Sequence, residues 1–148
     1  MSEVWFYHLE RASLDEVLPE LLEKTLAKGW RALVRSVDSE RLAHLDAWLW
    51  TYRDDSFLPH GLAGSAMSAR QPVLLTLDEE NLNAAQALFI LDEAPADIRG
   101  FERAMVIFDG HDEAALARAR SYWSRWKGEG LDVVYWKQGE THGWTKQG

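Results

Sequence analysis

The side chains able to do chemistry are scattered along this 148-residue chain. Its five histidines are His8, His44, His60, His111 and His142, and none pairs with another at a metal-ligand spacing such as H-E-x-x-H. His111-Asp112-Glu113 brings three ligand-type residues together. It also sits between a strand end and a helix start, where acidic residues complement the helix dipole, so it reads as a cap. Asp54-Asp55 has the composition of an acid–base pair, but adjacent carboxylates in a polar stretch read as solvated. Ser65 and Ser68 lack the G-x-S-x-G elbow that a nucleophilic serine needs. Gly61 and Gly64 form no P-loop, and no G-x-G-x-x-G follows the first apolar run. The chain has no cysteine, which removes thiol catalysis, disulfides and thiolate metal sites together and fits a reducing cytosol. No catalytic residue, metal site or cofactor is expected from these patterns.

What stands out is cationic. The stretch from Leu116 to Lys127 carries Arg118, Arg120, Arg125 and Lys127 and no acid, in a chain with 16 basic and 24 acidic residues and a net charge of −8. Leu116, Arg120, Trp123 and Lys127 fall at i, i+4, i+7 and i+11, one stripe of a helix. Ala115, Ala119, Tyr122 and Trp126 form the neighbouring stripe, suited to burial. Two readings follow. One is a solvated face whose cations complement the helix C-terminus. The other is a docking face for an acidic peptide, because Arg pairs bidentately with carboxylates and Trp supplies buried area. The residues alone leave both open.

A second group gathers around a gap in the periodicity. Trp48, Trp50, Phe57, Leu58 and Pro59 border the stretch from Thr51 to Gln71, which reads as a long loop. Trp48 reads as core; Trp50 and Phe57 have the character of an interface.

The elements that must position these groups alternate. Val4–Leu9, Ala32–Val37, Pro72–Thr76, Ala87–Leu91, Arg103–Phe108 and Leu131–Trp136 read as strands. Helices follow Ser13, with Glu16 completing a capping box, and Asp38 or Ser39; a third runs from Asp112 to Lys127. Gly29 ends the first in the usual manner. This alternation predicts a single α/β domain over residues 1–137, with helices layered on a mostly parallel central sheet, and a polar, frayed tail over 138–148. No apolar run approaches the roughly 20 residues of a membrane span, and no signal peptide is visible. An acidic chain does not coat phosphate backbones, so direct nucleic-acid binding is disfavoured. An α/β enzyme acting on a nucleotide or sugar phosphate is the alternative, against which the missing glycine fingerprint counts.

Leu49-Trp50, then Phe57-Leu-Pro-His60 and Leu62-Ala-Gly64, resembles the chi subunit family of the bacterial DNA polymerase III holoenzyme. Trp5-Phe-Tyr7, Arg31-Ala-Leu-Val34, Pro72-Val-Leu, the helix from Ala117 to Lys127, Gly130 and Tyr135-Trp-Lys137 agree, so the resemblance covers essentially the whole chain. It implies a Rossmann-like fold without a nucleotide site and a cytoplasmic, non-catalytic accessory subunit in DNA replication. Such a subunit links the clamp-loader complex to the acidic, phenylalanine-ended C-terminal tail of single-stranded DNA-binding protein, and touches nucleic acid only indirectly. The resemblance carries the tail contact to Arg120, Trp123 and Lys127. Ser124 stands where some members have lysine, with Arg118 or Arg125 as the replacement cation. It carries a second contact, with the psi subunit, the clamp loader or an accessory helicase, to Trp50, Phe57 and Pro59.

Overall fold

A computed structural model describes residues 3–10, 12–52, 58–64, 67–78, 80–92, 98–138 and 144–147. The strands are β1 (Glu3–Leu9), β2 (Ala32–Arg35), β3 (Gly61–Leu62), β4 (Val73–Thr76), β5 (Ala87–Ile90), β6 (Arg103–Asp109), β7 (Asp132–Gln138) and β8 (Trp144–Gln147). The helices are α1 (Leu14–Ala27), α2 (Ser39–Thr51) and α3 (Glu113–Gly128), and Ser68–Arg70 make one 3-10 turn. One sheet runs in the order β3-β4-β2-β5-β6-β1-β7-β8. The pairings from β3 to β7 are parallel, and β7 with β8 is antiparallel.

Handedness then decides which face each connection covers. Parallel crossovers are right-handed, so connections stepping in opposite directions along the sheet lie on opposite faces. β1 to β2 and β2 to β3 step one way, and they carry α1 and α2. The steps from β3 to β4, β4 to β5, β5 to β6 and β6 to β7 go the other way, and the last carries α3. The core divides accordingly. Val17, Leu18, Leu22, Leu42, Leu45 and Leu49 pack with Val34, Leu75 and Phe89 on one face. Ala115, Ala119 and Trp126 pack with Phe6, Leu88 and Val106 on the other. There one helix is joined by Ala85, Ile98 and Phe101 from non-helical connections. The result is the three-layer Rossmann-like architecture expected from the alternation. Central strands β2, β4 and β5 are buried at every residue, as parallel strands covered on both faces must be.

The helix starts follow their caps. Ser13 accepts from the Glu16 amide at 3.3 Å, and Asp38 and Asp112 accept from the amides two and three residues on. Gly29 and Gly130 lie just past the ends of α1 and α3 at φ +82° and +84°. Inside α1, Pro19 has no N–H to give the Asp15 carbonyl one turn back. The Trp48 indole N–H donates to that carbonyl at 2.7 Å instead, tying α2 to α1.

Three details differ from the sequence expectation. The stretch 51–71 is not all loop: Gly61 and Leu62 pair with Leu74 and Leu75 as an edge strand. β2 stops at Arg35, because Ser36 turns towards the α2 cap and its hydroxyl accepts from the Asp38 amide at 3.0 Å. The sheet also extends into the segment read as tail. β7 reaches Gln138, and Trp144–Gln147 pair back along it, with the Trp144 ring set edge-on to Tyr7 at 5.1 Å.

Candidate functional site

Helix α3 is amphipathic in the manner its spacing predicts. Ala115 and Ala119 are small enough to bring its axis close to the sheet, and with Trp126 they are buried. Tyr122 is half-buried and stacks on Trp126 at 4.9 Å. Trp123 is half-buried too. Its ring meets Phe6 at 5.8 Å and Tyr135 at 5.7 Å, both edge-on. Phe6 and Tyr135 are register partners on β1 and β7 and stack at 6.1 Å. Trp123 is therefore a wall of an aromatic nest at the edge of the α3 layer, not a free-standing anchor. The Lys127 ammonium lies 5.3 Å from the Trp123 ring centroid. Arg120 is exposed one turn earlier on the same stripe, and Ser124 is exposed beside it.

Arg118 and Arg125 are exposed as well, but elsewhere on the helix. At 3.6 residues per turn Arg118 lies about 200° around the axis from Arg120, and Arg125 about 140°. Neither shares the Arg120–Lys127 stripe, so neither replaces a lysine at position 124. Among the described residues none of these four cations has a carboxylate partner.

Below Arg120, at the end of β1, lies a partly buried polar chain, centred on buried His8, that the sequence did not reveal. His8 Nδ1 is 2.7 Å from the Tyr135 hydroxyl, and His8 Nε2 is 3.3 Å from Glu10 Oε1, which Lys137 Nζ also reaches at 3.3 Å. A carboxylate only accepts, so Nε2 carries the proton and Nδ1 accepts from Tyr135. Burial pushes the His8 pKa below its usual 6.5; the Glu10 charge opposes this, while Lys137, His111 and Arg120 reinforce it. Burial likewise raises the Tyr135 pKa, with Arg120 opposing. The folded state thus holds fewer protons on His8 than the unfolded chain does. Stability contributed by neutral His8 is complete above pH 6.5 and is lost as pH falls from there through the lowered folded value. Thermal melts across that window should show His8→Gln losing less stability on acidification than the unaltered chain. Equal losses would place the titrating group elsewhere.

The second predicted group lies on the opposite layer. Trp50 on α2 is 48% exposed, and its ring sits 4.2 Å from that of His60. His60 is buried, with its ring nitrogens 2.7 Å from the Leu58 carbonyl and 2.8 Å from that of Asp46. Pro59 between them is half-buried. Phe57 lies outside the described residues, as do Asp54, Asp55, Ser65 and His142.

The crevice where a nucleotide sits in related folds lies between the β1 and β6 ends, where α1 and α3 leave on opposite faces. Here it is a cavity of about 450 Å³. The helix N-termini beside it are occupied by Ser13 and Asp112, so their amides are not aimed at an anion. Arg41 is engaged by Asp92 at 2.9 Å, and His111 Nε2 lies 2.7 Å from the Glu10 carbonyl. Among the described residues no three metal-ligating side chains converge. Among the described residues the crevice thus offers no free helix N-terminus and no cluster of metal ligands.

Known proteins match this chain over most of its length. The family described as "DNA polymerase III chi subunit, HolC" matches residues 1–134. A probable DNA polymerase III subunit chi of Rickettsia prowazekii is 29% identical over 98 residues, 66% of this chain and 58% of that protein's own length. The DNA polymerase III subunit chi of Pseudomonas aeruginosa is 33% identical over 107 residues, 70% of this chain and 74% of that one. That of Escherichia coli K12 is 25% identical over 147 residues, 93% of this chain and all of its own.

Proposed function

Because the chain belongs to the DNA polymerase III chi subunit family, we propose that it is a non-catalytic accessory subunit of the replicative polymerase, linking the clamp loader to the acidic C-terminal tail of single-stranded DNA-binding protein. One observation carries the tail contact. In a chain of charge −8, the Arg120–Lys127 stripe has no acidic neighbour on α3 beyond Glu113 and runs alongside the nest walled by Trp123 and Tyr135. Arg120 and Lys127 are seven residues apart, roughly 10.5 Å along the axis. A tail of carboxylates ending in phenylalanine places charges on the two cations and its ring against the nest. The second contact, with psi, the clamp loader or an accessory helicase, is assigned to Trp50 and Pro59, on the other side of the sheet from α3, together with Phe57.

The test is calorimetry with an acidic, phenylalanine-ended peptide at two salt concentrations. Arg120→Ala removes a charge-assisted hydrogen bond and should weaken binding by about 1.5–3 kcal/mol. Added salt should weaken the unaltered complex, because screening acts on the local cationic face. Equal affinities for the two proteins, or an affinity indifferent to salt, would exclude this stripe.

A further inference from the structure

A second cavity, of about 320 Å³, opens between α2 and the carboxyl ends of β3 and β4. Leu42, Ala43, Leu62 and Leu75 form its floor and walls, and Leu77 and Asp78 stand at its rim. Five large apolar side chains are exposed among the described residues, and two of them are here. Leu62 and Leu77 line the opening, and Val37 directly precedes the α2 cap beside it. The two cations nearby are already engaged, Arg41 by Asp92 at 2.9 Å and buried Arg35 by the Asp78 carbonyl at 2.8 Å. Asp78 is the sole charged residue lining it, and Asp38 and Glu40 are exposed on the adjoining first turn of α2. No lysine or arginine lines it.

The backbone at this edge is also available. β3 is the outermost strand, and the Ala63 amide donates inward to the Leu75 carbonyl at 2.8 Å. Strand alternation then turns the N–H and C=O of Leu62 to the outer edge. Along α2, Ser39, Ala43, Asp46 and Trp50 share one stripe at i, i+4, i+7 and i+11. That stripe leads from the cavity lining, at Ser39 and Ala43, towards the exposed Trp50.

We propose that this groove docks an extended segment of another protein, with one aliphatic anchor flanked by lysine or arginine. The anchor fills the cavity over Leu42 and Leu75. The segment's backbone pairs with Leu62 at the sheet edge. Its cations meet Asp78 and the acidic first turn of α2. This rests on the reading that the Trp50 side meets a protein partner, and it gives that partner's chemistry and direction of approach. It would put an acid-seeking face and a base-seeking face on opposite layers of one domain.

Two synthetic peptides with the same Leu-Val centre, one flanked by lysines and one by glutamates, test it by amide shift mapping on the full chain. The lysine peptide should shift Ala43, Leu62, Ala63 and Leu77, and the glutamate peptide should leave them in place. Ala43→Tyr fills the cavity from an exposed helix position and should weaken the lysine peptide about tenfold or more, as loss of one buried anchor does. Asp78→Asn should weaken it less and flatten its salt dependence. Shifts that map elsewhere, or binding untouched by Ala43→Tyr, would overturn the groove. Shifts of the same amides on concentrating the chain alone would overturn it too, by making a second copy the occupant. Unchanged peptide binding in Trp50→Ala keeps the groove and removes only Trp50 from the interface.

Discussion

Phe6→Ala should destabilise the domain by about 3–5 kcal/mol, the range for emptying a buried aromatic site. Phe6 has no exposed surface and lies in the core beneath α3. Its ring touches Trp123, Trp126 and Tyr135 at 5.8, 6.1 and 6.1 Å. Truncation therefore leaves three large rings facing a void that rigid neighbours cannot collapse into. The same void removes the floor under Trp123, so the acidic peptide should bind more weakly even where the variant is folded. Denaturant unfolding with an unchanged slope checks the first part, and calorimetry well below the melting temperature checks the second. A loss under about 1.5 kcal/mol, the size tolerated in volume-conserving swaps, would mean the rings repack. Arg120→Ala is the counterpart: it should weaken peptide binding and leave stability nearly unchanged, because its side chain is exposed.

Gly110→Ala should be the tightest methyl insertion among the described glycines. A Cβ there would stand 1.9 Å from His8 Nε2 and 2.8 Å from the Leu9 carbonyl oxygen. A side-chain rotation clears the first contact but not the second. The Gly110 amide donates to that same carbonyl at 2.8 Å, so the backbones of β1 and the β6–α3 turn have to part. Overpacking of this kind costs about 1–3 kcal/mol. At roughly 2–4 °C per kcal/mol for a domain of this size, the melting temperature should fall by several degrees. The variant should also lose the acid sensitivity assigned to His8, because the ring leaves Tyr135. A variant that melts like the unaltered chain, with the same acid sensitivity, would place His8 away from Gly110.

The parts of this architecture that were legible in the sequence are local. Ser13, Asp38 and Asp112 announce helices because a cap bonds amides only two or three residues away. Ala115, Ala119 and Trp126 could be assigned to the buried side of α3 because helical spacing alone fixes that side. Central strands such as Val73–Thr76 read as unbroken apolar runs. What escaped was relational. Nothing in Trp48 or Pro19 separately says that an indole replaces a missing amide one helix away. Tyr135 and His8 are 127 residues apart, and only the parallel pairing of β1 with β7 brings them together. β3 and β8 are short, and β8 carries too few apolar residues for a period of two to emerge. The cationic stripe itself was visible, but its aromatic floor was not, because Phe6 and Tyr135 come from separate strands. The segment from Ser56 to Gly64 carried a family resemblance before any physical argument could choose between the two readings of α3.

The place of β1 between β6 and β7 has a further consequence, for the order of assembly during synthesis. β1 is made early, yet its neighbours begin about 100 and about 130 residues later, at Arg103 and Asp132. At translation rates of about 5–20 residues per second, its two edges wait roughly 5–20 seconds for β6 and longer for β7. During that interval α1, α2 and strands β2 to β5 can gather, but the centre of the sheet has no occupant. Closing it brings together the most sequence-distant contacts in the molecule, the kind that slow folding most. The aromatic nest beneath α3 is built from β1 and β7, so it forms at that last step. A nascent or truncated chain lacking β7 would have the cations of α3 but no floor for a phenylalanine ring. The tail contact proposed for α3 would thereby be confined to chains whose sheet has closed.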